Sequence, residues 1–322
     1  MIYGMSKNKN LDFSEFAWYH RLGAAILWGI CRIVSIMPRW FRYRALAPFV
    51  VGILRLVRYR SVVIQNNLRN SFPEMSQRKR DEIMRGFYKT LAEIIVNTIS
   101  LAGIRPGHDD GVLVWEGRDE HFAEVHGRDW VALATHYGCW EYLPLWGWQD
   151  PDCHFVTVYH PLKNRAFEIL YRRLRKFSDN VYTIPMADAV RHYVRNRREG
   201  LGIAMGLVSD QSPNLRADTE WYDFLNQKTA FIDGGERLAM RFHLPVYYVD
   251  VWRIAPGRYR AGFVKLYDGV ESVAEGEITR RYAAALEATI RREPELWMWS
   301  HKRWKHTPEK QALRFGGVKK EA

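Results

Sequence analysis

His136 and Glu141 are the pair whose residue types and spacing best suit catalysis. They lie five positions apart, directly after the apolar stretch 130–134 (WVALA). A neutral histidine is an effective general base near pH 7, and a carboxylate on one ring nitrogen fixes its tautomer and stabilises the imidazolium. If the hydroxyl belongs to the substrate, neither an enzyme serine nor an acyl-enzyme is needed. The pair predicts proton abstraction from an alcohol, although such pairs also serve purely structural roles.

Holding this pair requires a buried strand that ends before His136 and a helix that begins near Glu141. Short β-branched runs predict strands at residues 112–116, 130–134, 154–159, 181–184, 202–208, 245–252 and 259–266. Apolar residues at helical spacing predict helices at residues 118–127, 138–148, 164–177, 187–198, 234–243 and 276–292. The alternation predicts an α/β fold with a mixed, mainly parallel sheet flanked by helices, and its last two strands antiparallel. Such sheets bind ligands beyond the carboxyl ends of their strands, where His136 would lie.

The first hundred residues predict helices and no strands. Residues 22–37 are largely apolar, but they fall short of the roughly 20 residues that a spanning helix needs. Arg21 and Arg32 are eleven positions apart and share a helix face, which predicts a helix in the membrane interface with its basic side toward headgroups. Two buried core helices, or one spanning helix, are the alternatives. The predicted division is a helical, membrane-associating region at 1–103 and a catalytic α/β domain at 104–322.

The charge balance indicates an anionic partner. The 322 residues include 48 Lys and Arg against 36 Asp and Glu, a net charge of +12. Anionic lipid, acidic protein and nucleic acid all fit, but no nucleic-acid module accompanies the charge, and 13 Trp favour a membrane interface or lipid cleft. Three widely spaced cysteines do not make a disulfide framework and favour a reducing compartment. Without a P-loop, dinucleotide fingerprint or metal-ligand spacing, we expect no nucleic-acid partner, no cofactor and no metal.

Several ordered segments resemble one known family. They are residues 136–141 (HYGCWE, an H-x4-E motif), 60–73 (RSVVIQNNLRNSFP), 158–164 (VYHPLKN), 209–212 (SDQS), 228–247 and 294–305 (PELWMWSHKRWK). In this order they resemble the late acyltransferases of lipid A biosynthesis, of the lauroyl and myristoyl type, within the glycerolipid or lysophospholipid acyltransferase superfamily. The resemblance runs from about residue 15 to 306.

This resemblance implies an acyltransferase at the cytoplasmic face of the bacterial inner membrane. The donor would be acyl-acyl-carrier-protein or acyl-CoA, and the acceptor a hydroxyl of a lipid A precursor. His136 would be the base and Glu141 the residue that orients it. Asp210 and Gln211 would shape the site, with turn capping as the alternative for Asp210. The implied partners are the carrier protein, an anionic glycolipid and the membrane surface.

Further candidates come from the other matched segments. The family commonly has Arg or Lys at the position of His160, so oxyanion stabilisation would fall to His160 or to Lys163. The candidate substrate-binding residues are Tyr159, Asn164, Thr229 and Arg303, the last as a ligand of headgroup phosphates. Residues 231–235 (FIDGG) depart from the family's usual form, which predicts altered acceptor or acyl-chain selectivity. Alternative functions are acylation of a lysophospholipid, aminolipid or glycosylated phosphoinositide, and a catalytically silent lipid-binding relative.

Overall fold

The architecture is a seven-stranded sheet with helices on both faces, seen in a computed structural model that describes residues 12–105, 111–200 and 202–316. The strands are β1 (Leu113–Trp115), β2 (Trp130–Ala134), β3 (Cys153–Tyr159), β4 (Val181–Pro185), β5 (Gly202–Val208), β6 (Tyr222–Phe224), β7 (Gln227–Thr229), β8 (Val246–Ala255) and β9 (Arg258–Tyr267). Their order in the sheet is β1-β9-β8-β2-β5-β3-β4, and only the β8–β9 pair is antiparallel. Strands β6 and β7 form a separate antiparallel hairpin.

Helices dominate residues 18–103 and most of the connections between strands. They are α1 (Trp18–Ile36), α2 (Arg39–Phe41), α3 (Ala47–Leu56), α4 (Ser61–Ser71), α5 (Gln77–Ser100), α6 (Arg118–Val125), α7 (Arg165–Leu174), α8 (Ala189–Arg198), α9 (Gly234–Phe242), α10 (Glu277–Arg292) and α11 (Pro308–Phe315). A π-helical stretch (Arg42–Leu46) joins α2 to α3, and a 3₁₀ helix (Trp140–Trp148) follows β2.

The direction of each crossover decides which face of the sheet its helix covers. The step from β3 to β4 through α7 joins parallel strands and runs one way across the sheet. The steps from β4 to β5 through α8 and from β5 to β8 through α9 run the other way. Because parallel crossovers are right-handed, α7 covers one face, and α8 and α9 cover the opposite face. Helix α1 packs on α7, where the Arg173 guanidinium lies 3.9 Å from the ring centre of Trp28.

The structure confirms the predicted α/β class, with every predicted strand present in the main sheet. Two local predictions were wrong. The β6–β7 hairpin was missed, because strands of three residues are too short to show an alternating pattern. Where an α-helix was predicted at 138–148, the structure has a 3₁₀ helix at Trp140–Trp148, since Pro144 inside it lacks the N–H that an α-helical turn requires.

One apolar core joins the helical N-terminal part to the sheet. Leu54, Ile64 and Phe87 belong to the same buried cluster as Trp130 and Val131 of β2. All five residues of β2 are buried, so the strand that ends before His136 is covered on both sides. Glu93 of α5 also binds Arg253 of β8 through two hydrogen bonds, at 3.1 and 2.6 Å. The helices therefore contribute directly to the rigidity of the sheet.

The predicted orientation of the first helix is wrong at Arg32, although Arg21, on the same predicted face, is exposed. Arg32 turns toward the protein and donates to the carbonyl of Ala102 at 2.5 Å, because the end of α5 and the turn after it offer unsatisfied carbonyls there. The exposed face of α1 is apolar, and half or more of each side chain is accessible at Leu22, Ile26 and Ile30. A continuous apolar stripe of this kind is typical of a helix that lies in the membrane interface.

No single helix within the described residues combines the length and apolar composition that crossing a bilayer requires. In the part of the chain that the structure describes, α1 and the stretch Arg39–Leu56 reach that length and apolar composition only when they are taken together. The two stretches meet at a bend of 111°.

Candidate active site

His136 and Asp210 form a hydrogen-bonded pair at the carboxyl edge of the sheet. Ala134 of β2 pairs in register with Val208 of β5, and each of the two residues lies two positions further along its chain. The Nδ1 atom of His136 is 2.7 Å from Oδ1 of Asp210. The imidazole remains 19% exposed, whereas the carboxylate is almost fully buried. A neutral imidazole that donates from Nδ1 leaves Nε2 free to accept a proton.

Asp210 accepts three further hydrogen bonds, all on Oδ2. They come from the Thr135 hydroxyl at 2.8 Å, the main-chain N–H of His136 at 3.0 Å and the indole N–H of Trp297 at 2.8 Å. Burial raises the pKa of this carboxyl, but the His136 imidazole and the donors from Trp297 and Thr135 outweigh it and lower the pKa below its usual value. Asp210 is therefore ionised and fixed in orientation, as a residue that positions a histidine must be.

The reactive side of the imidazole faces an amide and an indole. Nε2 of His136 lies 3.2 Å from Nε2 of Gln211, and the ring of Trp140 stands edge-on at 4.7 Å between centroids. An amide N–H can donate to the same nitrogen that would accept a substrate proton. Gln211, predicted to shape the site, thus lies at the position where an acceptor hydroxyl would have to approach.

The turn between His136 and Glu141 depends on a glycine. Gly138 has a φ of +56°, in the left-handed region that favours glycine. A Cβ at this position would lie 2.8 Å from the ring of Tyr259. The turn lets the 3₁₀ helix begin at Trp140, beside the imidazole, and direct Glu141 elsewhere.

Glu141 does not make the predicted contact with His136. Its two carboxylate oxygens bind Arg175, at 2.8 Å to Nε and 2.5 Å to Nη2, in a bidentate pair at the end of α7. The reason is geometric: the 3₁₀ helix that begins at Trp140 directs Glu141 toward α7, on the face that α7 covers. The orienting carboxylate in the structure is Asp210, and the catalytic role of Glu141 stays a prediction.

The predicted oxyanion residues lie apart from this pair. His160 and Lys163 are exposed in the loop after β3, and Nδ1 of His160 lies 3.2 Å from the carbonyl of Pro161. Within the described residues the structure records no contact between either side chain and His136. Their role in stabilising an oxyanion remains a prediction.

Tyr159 and Asn164 have local partners that explain their positions. The Tyr159 hydroxyl donates to Glu168 of α7 at 2.5 Å, and burial together with this bond raises the pKa of the tyrosine. Asn164 caps the start of α7 by accepting from the N–H groups of Ala166 and Phe167. Helix α7 therefore holds two of the motif segments, since Glu168 ties the 158–164 loop and Arg175 ties Glu141.

Thr229 and Arg303, both predicted to bind substrate, are buried. Thr229 accepts a hydrogen bond from the indole of Trp304 at 2.7 Å. Arg303 is only 3% exposed and stacks over the ring of Phe231 at 4.6 Å; its Nε and Nη2 find no hydrogen-bond partner in the described part of the chain. Burial lowers the pKa of this guanidinium to about 10. The predicted contact with surface headgroups does not fit this burial; a phosphate would reach Arg303 only if the surrounding segment moved.

The segment 231–235 borders a cavity of about 410 Å³ between α9 and the loop before β6. Phe231 contributes to its wall, together with an ion-pair network in which Asp233 binds Arg216 and Arg237. An effect of residues 231–235 on acceptor or acyl-chain selectivity stays a prediction. The cavity is the place where such an effect would arise.

Among the described residues, one group of side chains is close enough together to hold a metal ion. Atoms of His126, Asp150 and Asp152 lie within 4.8 Å of one another, at the edge of the sheet opposite to His136. Nδ1 of His126 is 3.0 Å from Oδ1 of Asp150, a hydrogen bond that accounts for this arrangement by itself. This cluster contributes nothing to the candidate active site.

Three residues of the site had no signal in the sequence analysis: Thr135, Arg175 and Trp297. The sequence analysis gives no role to Thr135, although it directly precedes His136, and none to Arg175. Trp297 belongs to a matched segment, but nothing in the sequence indicated a bond to Asp210 across 87 residues.

Comparisons with known proteins give one family. The model of the bacterial lipid A biosynthesis acyltransferases matches residues 13–306. Among solved structures, the chain is similar to the 1-acyl-sn-glycerophosphate (LPA) acyltransferase PlsC from Thermotoga maritima. The identity is 16%, the TM-score is 0.34, and the match covers 80% of this chain and 98% of that chain. A comparison with curated protein sequences finds no match.

Proposed function

The chain belongs to the bacterial lipid A biosynthesis acyltransferases, a family of membrane-associated enzymes that transfer acyl groups, and on that premise we propose its specific reaction. In this reaction the protein moves a fatty acyl chain from acyl-acyl-carrier-protein to a hydroxyl of a lipid A precursor at the cytoplasmic face of the inner membrane. The observation that carries this proposal is the His136–Asp210 pair at the carboxyl edge of the sheet.

In the proposed mechanism the acceptor hydroxyl takes the place of an enzyme nucleophile. Nε2 of His136 removes the hydroxyl proton while the oxygen attacks the thioester carbonyl carbon. The new C–O bond forms, the C–S bond breaks, and the imidazolium returns the proton to the leaving thiolate. Asp210 holds Nδ1 and stabilises the imidazolium between these two transfers. Gln211 is displaced from Nε2 or shares it with the substrate.

Membrane binding in this proposal uses the exposed apolar stripe of α1. Ile26 and Ile30 would enter the interfacial region, and the excess of basic residues would favour anionic lipid. A large amphiphilic acceptor could then reach the site without leaving the bilayer.

The deciding experiment is acyl transfer by the purified protein. A lipid A precursor in vesicles is mixed with acyl-acyl-carrier-protein, and the products are identified by mass spectrometry. Addition of one acyl chain by wild type, and its loss in His136→Ala with unchanged melting temperature, supports the proposal. Lysophospholipid, aminolipid and glycosylated phosphoinositide acceptors, and acyl-CoA as donor, are tested in parallel. Transfer only to one of these would move the acceptor or donor, and no transfer to any would favour a silent relative.

A further inference from the structure

Three successive main-chain N–H groups in the turn after β2 already have acceptors within the protein. Residues 136–138 donate them to Oδ2 of Asp210 at 3.0 Å, to the carbonyl of Thr135 at 2.8 Å and to the carbonyl of Leu296 at 3.0 Å. Acyl transfer needs a hydrogen-bond donor for the negative charge that develops on the thioester oxygen. These three groups could supply it only by breaking the bonds that hold the turn, so another group of the site has to supply it.

The amide of Gln211 lies at the reacting nitrogen itself. Its Nε2 atom is 3.2 Å from Nε2 of His136, the atom that would take the proton of the acceptor hydroxyl. The two side chains predicted to stabilise the oxyanion, His160 and Lys163, are exposed in the loop after β3. In residues 12–105, 111–200 and 202–316 neither has a recorded contact with the imidazole. Among the candidates from the sequence, Gln211 is therefore the donor that lies beside the reacting atoms.

The imidazole tautomer decides which end of the amide faces Nε2. Asp210 is ionised and can only accept, so Nδ1 of His136 carries the proton and Nε2 has a free lone pair. A lone pair attracts the N–H₂ group of Gln211 and repels its carbonyl oxygen. The amide therefore presents an uncharged donor whose capacity to donate does not change with pH.

The backbone around Gln211 is held in place, whereas its side chain can turn. The main-chain N–H of Ser209 donates to the carbonyl of Ala134 at 3.2 Å, and the Asp210 carboxylate accepts four hydrogen bonds. Gln211 itself is only partly buried, and its side chain has several rotatable bonds. An acceptor hydroxyl that binds at Nε2 has to displace the amide by about one hydrogen-bond length, ~3 Å. Rotation of the side chain can supply this movement without any change in the sheet.

The displaced amide remains beside the atoms that react. The acceptor oxygen at Nε2 bonds to the thioester carbonyl carbon, so the carbonyl oxygen comes to lie next to the position that the amide has just left. We propose that Gln211 is the oxyanion donor of the acyl transfer: its N–H leaves Nε2 of His136 as the acceptor hydroxyl binds, and then donates to the thioester oxygen. This inference rests on the proposed function, because it assigns a further catalytic residue to the same reaction.

The electrons and protons of this step balance without further groups. As the new C–O bond forms, the π electrons of the carbonyl move onto its oxygen, where the Gln211 N–H stabilises them. They return when the C–S bond breaks, and the proton from the acceptor passes through His136 to the leaving thiolate. The amide keeps both of its protons throughout.

The test removes the N–H donor and keeps the size of the side chain. Gln211→Met is compared with Gln149→Met, which makes the same exchange before β3, at the opposite edge of the sheet. Under single-turnover conditions the rate of acyl transfer by Gln211→Met should fall on the order of 10²–10³-fold, the loss that removal of one oxyanion donor causes. KM for donor and acceptor should stay within a few-fold of wild type, because the bond forms only in the transition state. Gln149→Met should behave as wild type, and Gln211→Leu should repeat the loss; melting temperatures near wild type show that the variants fold.

The pH profile separates an oxyanion donor from a simple cap on the imidazole. Donation to Nε2 favours the neutral imidazole, so its removal raises the pKa of His136 and moves the acidic limb of the rate profile to higher pH. A cap alone leaves the rate on the alkaline plateau unchanged, whereas loss of an oxyanion donor lowers the plateau itself. A lowered plateau supports the proposal. An unchanged plateau, or a rise in acceptor KM that accounts for the whole loss, overturns it.

The same variants distinguish failure of this inference from failure of the proposed function. They are compared on whichever donor and acceptor the wild type turns over. Full activity in Gln211→Met, with the loss found instead in His160→Ala/Lys163→Ala, overturns the role of Gln211 and leaves the acyltransferase intact. A wild type that transfers no acyl group to any acceptor overturns the proposed function, and this inference with it.

Discussion

The candidate site contains two buried carboxylates whose surroundings differ in kind. Asp210 accepts from an imidazole, an indole, a hydroxyl and a main-chain N–H. Glu141 accepts its side-chain bonds from one guanidinium, that of Arg175. An imidazole gains and loses a proton near neutral pH, whereas a guanidinium stays charged throughout. We therefore interpret Asp210 as the carboxylate that supports proton transfer and Glu141 as the one that fixes the loop after His136.

The two carboxylates also belong to different parts of the molecule. Asp210 extends from β5 in the middle of the sheet, and Trp297 braces it from the C-terminal segment. Glu141 is tied to α7, which packs against the interfacial helix α1. The first follows a central strand of the sheet, and the second links the catalytic turn to the region that would contact the membrane.

Replacing Asp210 by Asn should have the largest effect on activity. The amide keeps the shape of the carboxylate, but its N–H₂ group can donate to Nδ1 and so favours the wrong imidazole tautomer. We expect kcat to fall by about 10³–10⁴-fold, near the loss that the wrong tautomer causes in a Ser-His-Asp triad. Steady-state kinetics on vesicle-bound acceptor measures this.

The control is Asp119→Asn, which alters an exposed carboxylate paired with Arg118 on α6, away from the imidazole. This variant should keep kcat within a few-fold of wild type. Near-normal kcat in Asp210→Asn, with complete loss in Glu141→Gln, would reverse the comparison and restore Glu141 as the orienting residue.

Replacing Glu141 by Gln should mainly reduce stability. The change leaves the Arg175 guanidinium buried without its counter-charge, which typically costs about 3–5 kcal/mol of unfolding free energy. We expect kcat to fall less than in Asp210→Asn, because the His136–Asp210 pair persists. Urea unfolding in detergent and kinetics on the same preparations test both parts.

A double variant sharpens this result. Glu141→Leu/Arg175→Leu removes both charges and fills the space with apolar atoms, an exchange that is often neutral for stability. If Glu141 acts only by fixing the loop, this variant should recover stability and part of kcat relative to Glu141→Gln. Recovered stability with no activity would mean that the carboxylate itself takes part in the chemistry.

The sequence identified Glu141 more readily than Asp210, because a motif read along the chain favours close neighbours. His136 and Asp210 are 74 residues apart, and they meet only because β2 and β5 are adjacent in the sheet. Both strand ends were predicted, and each residue lies two positions beyond one of them. Strand order was the missing information, since β5 pairs with β2 only after two intervening strands have been placed elsewhere.

The sequence also did not predict the direction in which the side chains of α1 point. Arg32 was assigned to the headgroups by its helical spacing, but the same spacing fits contact with the carbonyl of Ala102. The periodicity defined two faces of α1 correctly and left open which face packs on α7. The apolar face was the exposed one, because the inner face gains hydrogen bonds that a bilayer interior would not supply.

Altering the exposed face of α1 tests the link between membrane and catalytic turn. Ile26→Gln/Ile30→Gln replaces two side chains that are 59% and 50% exposed, so folding should be unaffected. Vesicle partitioning should fall roughly tenfold or more, from the apolar area withdrawn from the bilayer. Co-sedimentation with anionic vesicles measures it. Val270→Gln/Leu313→Gln, at exposed positions far along the chain, should leave partitioning unchanged, and equal loss in both variants would refute a specific role for α1.

The smallest expected effect is on acid stability, and it isolates the electrostatic part of the comparison. The pKa of Asp210 is lowered in the folded state, so its contribution to stability is present above the unfolded value of about 3.9 and is lost as pH falls through the lower folded value. Wild type should therefore lose unfolding free energy below about pH 4 more steeply than Asp210→Asn, by at most about 1.4 kcal/mol per pH unit. Urea unfolding at stepped pH measures the two slopes. Equal slopes would mean that the imidazole and the three donors do not stabilise an ionised Asp210, and the distinction between the two carboxylates would then rest on geometry alone.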